Sequence, residues 1–142
     1  MLLRDAQVLS IWEGTTNVLS LDMLRAIEKE NGLEEYHFFA ENLLKSITDS
    51  KLEKAKTLLN QKMKRLSDFL SKISSSEEME GNARDIAFYF AELTIGLLWL
   101  DFVQKNPDEE YLGAMNYWLR FRVREETLGS YKMITGNVAI KK

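Results

Sequence analysis

The sequence predicts an all-α protein built as an antiparallel helical bundle. Its 142 residues include one proline and seven glycines, so few positions interrupt a helix. Apolar residues recur at three- and four-residue spacing along most of the chain, which is typical of amphipathic helices. No segment alternates apolar and polar residues as a half-buried strand does. Helices joined by short loops favour antiparallel packing.

The first predicted elements flank a turn near the N-terminus. Residues 4–10 are predicted to form the end of a helix, and a turn that contains Glu13 is predicted to follow. A complete helix is predicted over residues 17–30, because its apolar positions share one side: Val18, Leu21 and Leu24 beside Arg25, with Ile27 extending the stripe. Asn31 and Gly32 are expected to end it, since both residues tolerate the left-handed conformation of a helix C-terminus.

Two longer helices are predicted next. The segment 33–48 carries Tyr36, Phe39, Ala40, Leu43 and Ile47 at helical spacing. The segment 51–73 has a seven-residue pattern formed by Leu52, Ala55, Leu59, Leu66, Phe69 and Ile73. Lys62 breaks the pattern, and Met63 can fill the gap. Such a repeat favours packing along a neighbouring helix. We interpret it as a seam between subunits, with packing inside its own bundle as an equal alternative.

A loop of three serines, residues 74–76, separates these helices from the most apolar segment. Helix 82–104 is apolar on most sides, and about twenty such residues suffice to cross a membrane. Glu92, Thr94 and Asp101 interrupt it, and charge inside a bilayer is costly. The sequence therefore favours a central buried helix and no membrane span.

The last helix is predicted to begin at the sequence Asn106-Pro107-Asp108-Glu109. This order suits a helix start, with an asparagine cap, a proline at the first helical position and acidic residues in the first turn. The helix is expected to reach about residue 126 and to bury these side chains: Tyr111, Met115, Trp118, Leu119 and Val123.

Composition excludes several classes of function. The absence of cysteine rules out a disulfide scaffold, thiol catalysis and thiolate metal sites, and fits a reducing compartment such as the cytoplasm. A net charge of −3 argues against a nucleic-acid binder, which usually carries a basic excess. His37 is the only histidine and has no spaced partner of a metal motif, so we expect it on a helix surface and expect no metal site.

The turn around Glu13 is the strongest candidate for chemistry. Glu13 follows the aromatic Trp12 and precedes Gly14, a residue that permits close approaches. Thr15 or Thr16 can cap the following helix, whose free amides favour a nearby anionic group. These ingredients suit a catalytic base, although a solvated glutamate on a surface turn would show them too.

The amino-acid sequence of this stretch resembles the C-terminal signature of the acyl-CoA dehydrogenase family. The matching elements are Arg4-Asp5-Ala6 and residues 11–15, Ile-Trp-Glu-Gly-Thr. The tryptophan form, with Asn17 and the run Leu21-Asp22-Met23-Leu24-Arg25, is most similar to the branch that contains the bacterial alkylation-response proteins. The resemblance implies that residues 1–31 end the family's C-terminal bundle and that residues 32–142 form a helical extension. It also implies a longer parent protein.

The resemblance further implies α,β-dehydrogenation of acyl-CoA thioesters with FAD as cofactor. Glu13 would be the base, Trp12 would line the substrate pocket, and Gly14 would let the substrate pass close by. Thr15 and Asn17 match family positions that contact FAD. The expected partners are an acyl-CoA substrate, an electron acceptor such as an electron-transfer flavoprotein, and further copies of the chain in a homo-oligomer.

A second class of function stays open. The extension could act as a non-catalytic module for oligomerisation or interaction, of the alkylation-response type, in which the signature is inherited but idle. The net negative charge of the chain argues against DNA as the partner of such a module.

Overall fold

The protein folds as a bundle of α-helices, as the computed structural model of residues 16–122 and residue 128 shows. This part of the chain contains no strand. The predicted all-α fold is therefore confirmed, while the predicted helix 4–10 lies outside the described residues. The elements in chain order are α1 (Thr16–Lys29), α2 (Gly32–Ser46), a 3-10 turn (Ser50–Leu52), α3 (Glu53–Leu70), α4 (Ser76–Gly81), α5 (Ala83–Lys105) and α6 (Glu109–Arg122).

Helix α5 is the centre of the bundle, because it contacts each of the other five α-helices of the described part. Its buried side chains include Ile86, Leu93, Leu97 and Leu100. Among the described residues it alone is long and apolar enough to cross a membrane, a test that the core helix of a bundle also passes. The prediction of a central helix is confirmed. Its burial is one-sided, however, and a second apolar face lies in solvent.

Helix α3 packs its seven-residue stripe inside the chain's own bundle, against α5. Leu59 and Leu66 are almost wholly buried there, and Lys62 and Met63 are buried beside them. Gly96 of α5 permits this close approach, since a Cβ at that position would lie 2.7 Å from the Cδ2 atom of Leu59. The interpretation of this stripe as a seam between subunits is therefore wrong.

Helix α1 buries only part of the predicted stripe, since Leu24 and Ile27 face the core. Ser20 and Leu24 are buried, whereas Val18 and Leu21 of the predicted stripe are exposed. The serine can be buried because its hydroxyl donates a hydrogen bond to the Thr16 carbonyl at 2.6 Å. Because a serine adds nothing to a pattern of apolar residues, the sequence did not predict that Ser20 lies on the buried side.

The connection between α1 and α2 matches the prediction at Asn31, whose φ of 52° is left-handed. Gly32 has another role, because it opens α2 beside the preceding helix. A Cβ at Gly32 would lie 2.8 Å from the Ala26 carbonyl oxygen, so glycine allows the two backbones to meet. Helix α4 was not predicted as a separate element. Its N-cap is Ser75, which accepts a hydrogen bond from the Glu78 amide at 3.1 Å.

The cap of α6 lies two residues beyond the predicted one. Asp108, rather than Asn106, accepts a hydrogen bond from the Glu110 amide at 2.7 Å. Asn106 closes α5 instead, since its Nδ2 donates to the Phe102 carbonyl at 2.9 Å. Met115 and Leu119 are buried as predicted, and Trp118 is half-buried. Burial of Tyr111 was wrongly predicted, because its ring lies at the surface against Phe102. Val123 is outside the described residues.

Candidate functional site

The residues predicted to carry the chemistry lie at the edge of the described chain. Trp12, Glu13, Gly14 and Thr15 are outside the described residues. Asn17 belongs to the first turn of α1, and its side chain is likewise outside the description. The structure therefore describes the helix that follows the signature, and the assignments to these five residues stay predictions.

The start of α1 has properties that suit an anionic ligand. The helix begins at Thr16, directly after the signature, and its first turn contains no acidic side chain. Its free amides and the positive end of its dipole are therefore not offset by a carboxylate of that turn. Such a helix start favours a phosphate or carboxylate group. Contacts of α1 with α2, α4 and α5 hold it in place.

The outward face of α1 is apolar close to this start. Val18 and Leu19 are each about half exposed, at 50% and 51%, and Leu21 is exposed as well. Contiguous apolar side chains on a surface commonly mark a contact with another part of a protein. Beside them lies a groove of about 410 Å³ between α1, α4 and α5, lined by Ser20, Leu21, Glu80, Gly81, Ala83 and Arg84. The opposite charges of Glu80 and Arg84 give this groove no preference for one sign of ligand charge.

A partly buried tyrosine forms one of the polar contacts between α2 and α5. The hydroxyl groups of Tyr36 and Thr94 lie 3.2 Å apart, and Thr94 also donates to the Phe90 carbonyl at 2.8 Å. Burial raises the pKa of the Tyr36 phenol above its ordinary value, against a smaller opposing effect of the Thr94 hydrogen bond. The phenol therefore stays protonated at neutral pH and links two helices.

His37 lies half-buried on α2, where a position on a helix surface was predicted, and it contacts α3. Its Nε2 is 3.0 Å from the Ser67 hydroxyl, which itself donates to the Met63 carbonyl at 3.1 Å. This contact links α2 to α3. The described residues contain no group of three or more histidine, cysteine or acidic side chains placed to hold a metal ion.

Comparison with known proteins identifies the family. The model of a family described as "Acyl-CoA dehydrogenase 11 C-terminal domain-like" matches residues 33–124, which include α2 to α6. The chain belongs to this family. Because the match lies entirely beyond the signature, it confirms the resemblance to the C-terminal portion of an acyl-CoA dehydrogenase from separate residues.

A curated relative agrees with the family match. Acyl-CoA dehydrogenase family member 11 of Caenorhabditis elegans is 44% identical over 108 residues, which cover 70% of this chain. The same residues cover 18% of the relative, so the chain spans about a fifth of the relative's length. No solved structure matches the chain.

One surface was missed by the sequence reasoning. Along one side of α5, five residues reach the solvent at helical spacing: Phe88, Ala91, Ile95, Leu98 and Phe102. We refer to these five residues as the α5 stripe. Three of them, Phe88, Ile95 and Phe102, recur every seven residues, and that spacing was the available signal. The apolar character of the whole helix concealed it.

Proposed function

We propose that this chain acts as the C-terminal part of a longer, FAD-dependent acyl-CoA dehydrogenase-like oxidoreductase. The observation that carries the proposal is the Ile-Trp-Glu-Gly-Thr sequence of residues 11–15, which ends where α1 begins, in a chain of this family. In this proposal residues 1–31 belong to the catalytic bundle, and residues 32–142 are an extension of it.

Glu13 is the proposed base. It would remove the proton from the carbon next to the thioester carbonyl, while the neighbouring Trp12 excludes water and so strengthens the carboxylate as a proton acceptor. The Glu13 backbone amide would polarise the thioester carbonyl, and Gly14 would leave room for the substrate. FAD, when bound, supplies the hydride acceptor that this chain lacks.

The cofactor and partners follow from the same proposal. Thr15 and Asn17 would hold FAD, and the start of α1, which has no acidic residue in its first turn, supports an anionic ligand there. The substrate class is acyl-CoA, and an electron-transfer flavoprotein is the proposed electron acceptor. We place the protein in the cytoplasm and propose that it is a homo-oligomer. Nucleic acid is not a proposed partner.

The test is to purify the full-length product of the gene and measure its flavin. We expect a yellow protein with about one FAD per chain, whose visible absorbance bleaches when acyl-CoA is added without oxygen. Free fatty acids of equal length serve as a control, because they lack the thioester. A colourless protein, or a flavin that no acyl-CoA reduces, would contradict the proposal.

The α5 stripe favours a second candidate, in which the chain is a non-catalytic interaction module. In that case the full-length protein would lack flavin chemistry, and changes in the stripe would alter only its assembly. The flavin measurement separates the two candidates, because only the first predicts a bound flavin that acyl-CoA reduces.

A further inference from the structure

We propose that residues 129–142 of this chain dock along the α5 stripe and cover it. These residues lie outside the part of the chain that the structure describes. Four features support the docking: the exposed area of the stripe, the charges around it, the composition of residues 129–142 and the path of α6. None of them depends on either candidate function. A partner of the interaction module considered above would have to displace this segment to reach the stripe.

The α5 stripe is a continuous apolar surface that the described residues leave uncovered. Its four large side chains, Phe88, Ile95, Leu98 and Phe102, are 43% to 50% exposed. At about 200 Å² for each such side chain, they present roughly 350–400 Å² to the solvent. Together with Trp99, the last three line a shallow groove of about 350 Å³. An apolar patch of this size commonly marks a contact.

The area of the stripe suits a segment of the same chain better than a separate molecule. Each partner in a standard protein–protein interface buries ~800 Å², which is about twice what the stripe offers. A segment joined to the bundle by a short connection is present at an effective concentration in the millimolar range. It therefore needs less contact area than a free partner does to stay bound.

The surroundings of the stripe are acidic. Residues 76–110, which include α4, α5 and the start of α6, contain nine acidic and two basic side chains. Arg84 is one of the two basic residues, and its guanidinium lies 5.6 Å from the Phe88 ring centroid. Lys51 pairs with one of the acids, Glu109, and an acidic excess remains. A second copy of this surface would bring like charges together, which is unfavourable, so the charges select a basic occupant.

Residues 129–142 combine the two properties that such an occupant needs. They contain three lysines, Lys132, Lys141 and Lys142, and no acidic residue. They also contain five of the larger apolar or aromatic side chains: Tyr131, Met133, Ile134, Val138 and Ile140. In an extended chain, residues two positions apart point to the same side, which would bring Val138 and Ile140 onto one apolar surface. The segment is therefore basic and apolar, as the stripe requires.

The described chain leads back to the core just before this segment. The ring centroids of Tyr111 and Phe102 lie 5.2 Å apart, and a Cβ on Gly96 would lie 3.5 Å from the Cδ2 atom of Leu119. Helix α6 therefore runs antiparallel along α5 from the Phe102 end of the stripe, and Leu128 packs against the core. The 14 residues that follow extend up to about 46 Å, whereas the stripe is about 21 Å long. All of the stripe is within their reach.

The first test measures how fast a maleimide labels a thiol in the stripe. The chain contains no cysteine, so Ala91→Cys, at an exposed residue of the stripe, has a single reactive thiol. We expect it to react about tenfold more slowly in the full chain than in a chain that ends at Leu128. Leu19→Cys, at an exposed apolar residue of α1, is the control and should react at the same rate in both chains. Circular dichroism should show that the shorter chain keeps its helices.

The second test identifies the occupant in the full chain, so it does not depend on the folding of the shorter one. Lys132→Cys is labelled with a benzophenone maleimide and irradiated, and mass spectrometry locates the adducts. We expect adducts within residues 88–102 of the same chain. Mixing with an isotopically labelled copy distinguishes adducts within one chain from adducts between two. The same reagent on Glu28→Cys, at an exposed residue of α1, should give no adduct with the stripe.

Four results would overturn the docking. The first is an equal labelling rate of Ala91→Cys in the full and the shorter chain. The second is a set of adducts that join only different copies, which would assign the stripe to a second copy. The third is a set of adducts confined to residues outside 88–102, which would place the segment on another surface. The fourth is a labelling rate that falls only when phosphatidylcholine vesicles are added, which would assign the stripe to lipid.

Discussion

Gly96 and Gly113 show how one residue type has opposite roles in two helices. A Cβ on Gly96 would meet Leu59 at 2.7 Å, whereas a Cβ on Gly113 would meet no atom within 4 Å. Glycine in a helix interior costs up to about 1 kcal/mol relative to alanine. At Gly96 the missing side chain allows α5 to pack closely on α3. At Gly113 no neighbouring atom requires a glycine.

We therefore expect Gly113→Ala to raise the free energy of unfolding by about 0.5–1 kcal/mol. Gly96→Ala has the same helical advantage but overfills the contact with Leu59, which typically costs about 1–3 kcal/mol. Urea denaturation should show that Gly96→Ala is the less stable of the two variants. Adding Leu59→Ala to Gly96→Ala should remove the steric penalty. Equal stabilisation by both alanines would contradict the described packing of α3 on α5.

Tyr36 makes the stability of the fold sensitive to alkaline pH. Burial raises the pKa of its phenol in the folded state above that in the unfolded chain. Below pH about 10 the phenol is protonated in both states. Above that pH the unfolded chain releases the proton first, so the free energy of unfolding falls as the pH rises towards the folded pKa.

Tyr36→Phe should remove this contribution. Urea titrations between pH about 9 and 11 should give a shallower loss of stability for the variant than for the wild type. Tyr117→Phe, at an exposed tyrosine of α6, is the matched control. Parallel curves for Tyr36→Phe and the wild type would contradict the raised pKa of Tyr36.

At the scale of elements, the helices were predictable and their partners were not. Long apolar periodicity with few glycines and prolines placed α1, α2 and α5 within two residues of their observed bounds. Which face meets which neighbour depends on contacts distant in the sequence, and a single pattern does not contain them. The stripe of α3 and the α5 stripe have the same seven-residue spacing. Gly96 permits the first to pack inside the bundle, and the second remains outside.

This difference predicts unequal costs for leucine truncation. Leu59→Ala removes a fully buried side chain of α3 and should lower the free energy of unfolding by about 2–5 kcal/mol. Leu19→Ala, half exposed on α1, should change it by less than about 1 kcal/mol. Chemical denaturation at low protein concentration measures both. Similar costs at the two positions would show that Leu59 is not in the core.

At the scale of the whole molecule, the sequence predicted the family and the fold, and both are confirmed, whereas the candidate site stays a prediction. The signature of residues 11–15 pointed to the acyl-CoA dehydrogenase family, and the match over residues 33–124 established it from other residues. Glu13 lies outside the described residues, so its surroundings stay a prediction from the local pattern. The α5 stripe was missed because exposure of an apolar helix face is a property of the assembled bundle.

The most direct measurement of the central claim is the reduction of bound FAD by acyl-CoA in full-length Glu13→Gln protein. The variant keeps the size of the side chain and removes the proton acceptor, so flavin bleaching should slow by about a hundredfold to ten-thousandfold while FAD stays bound. Glu28→Gln, at an exposed glutamate of α1, should bleach at the wild-type rate. Bleaching of Glu13→Gln at the wild-type rate, with FAD fully bound, would contradict the assignment of Glu13 as the base.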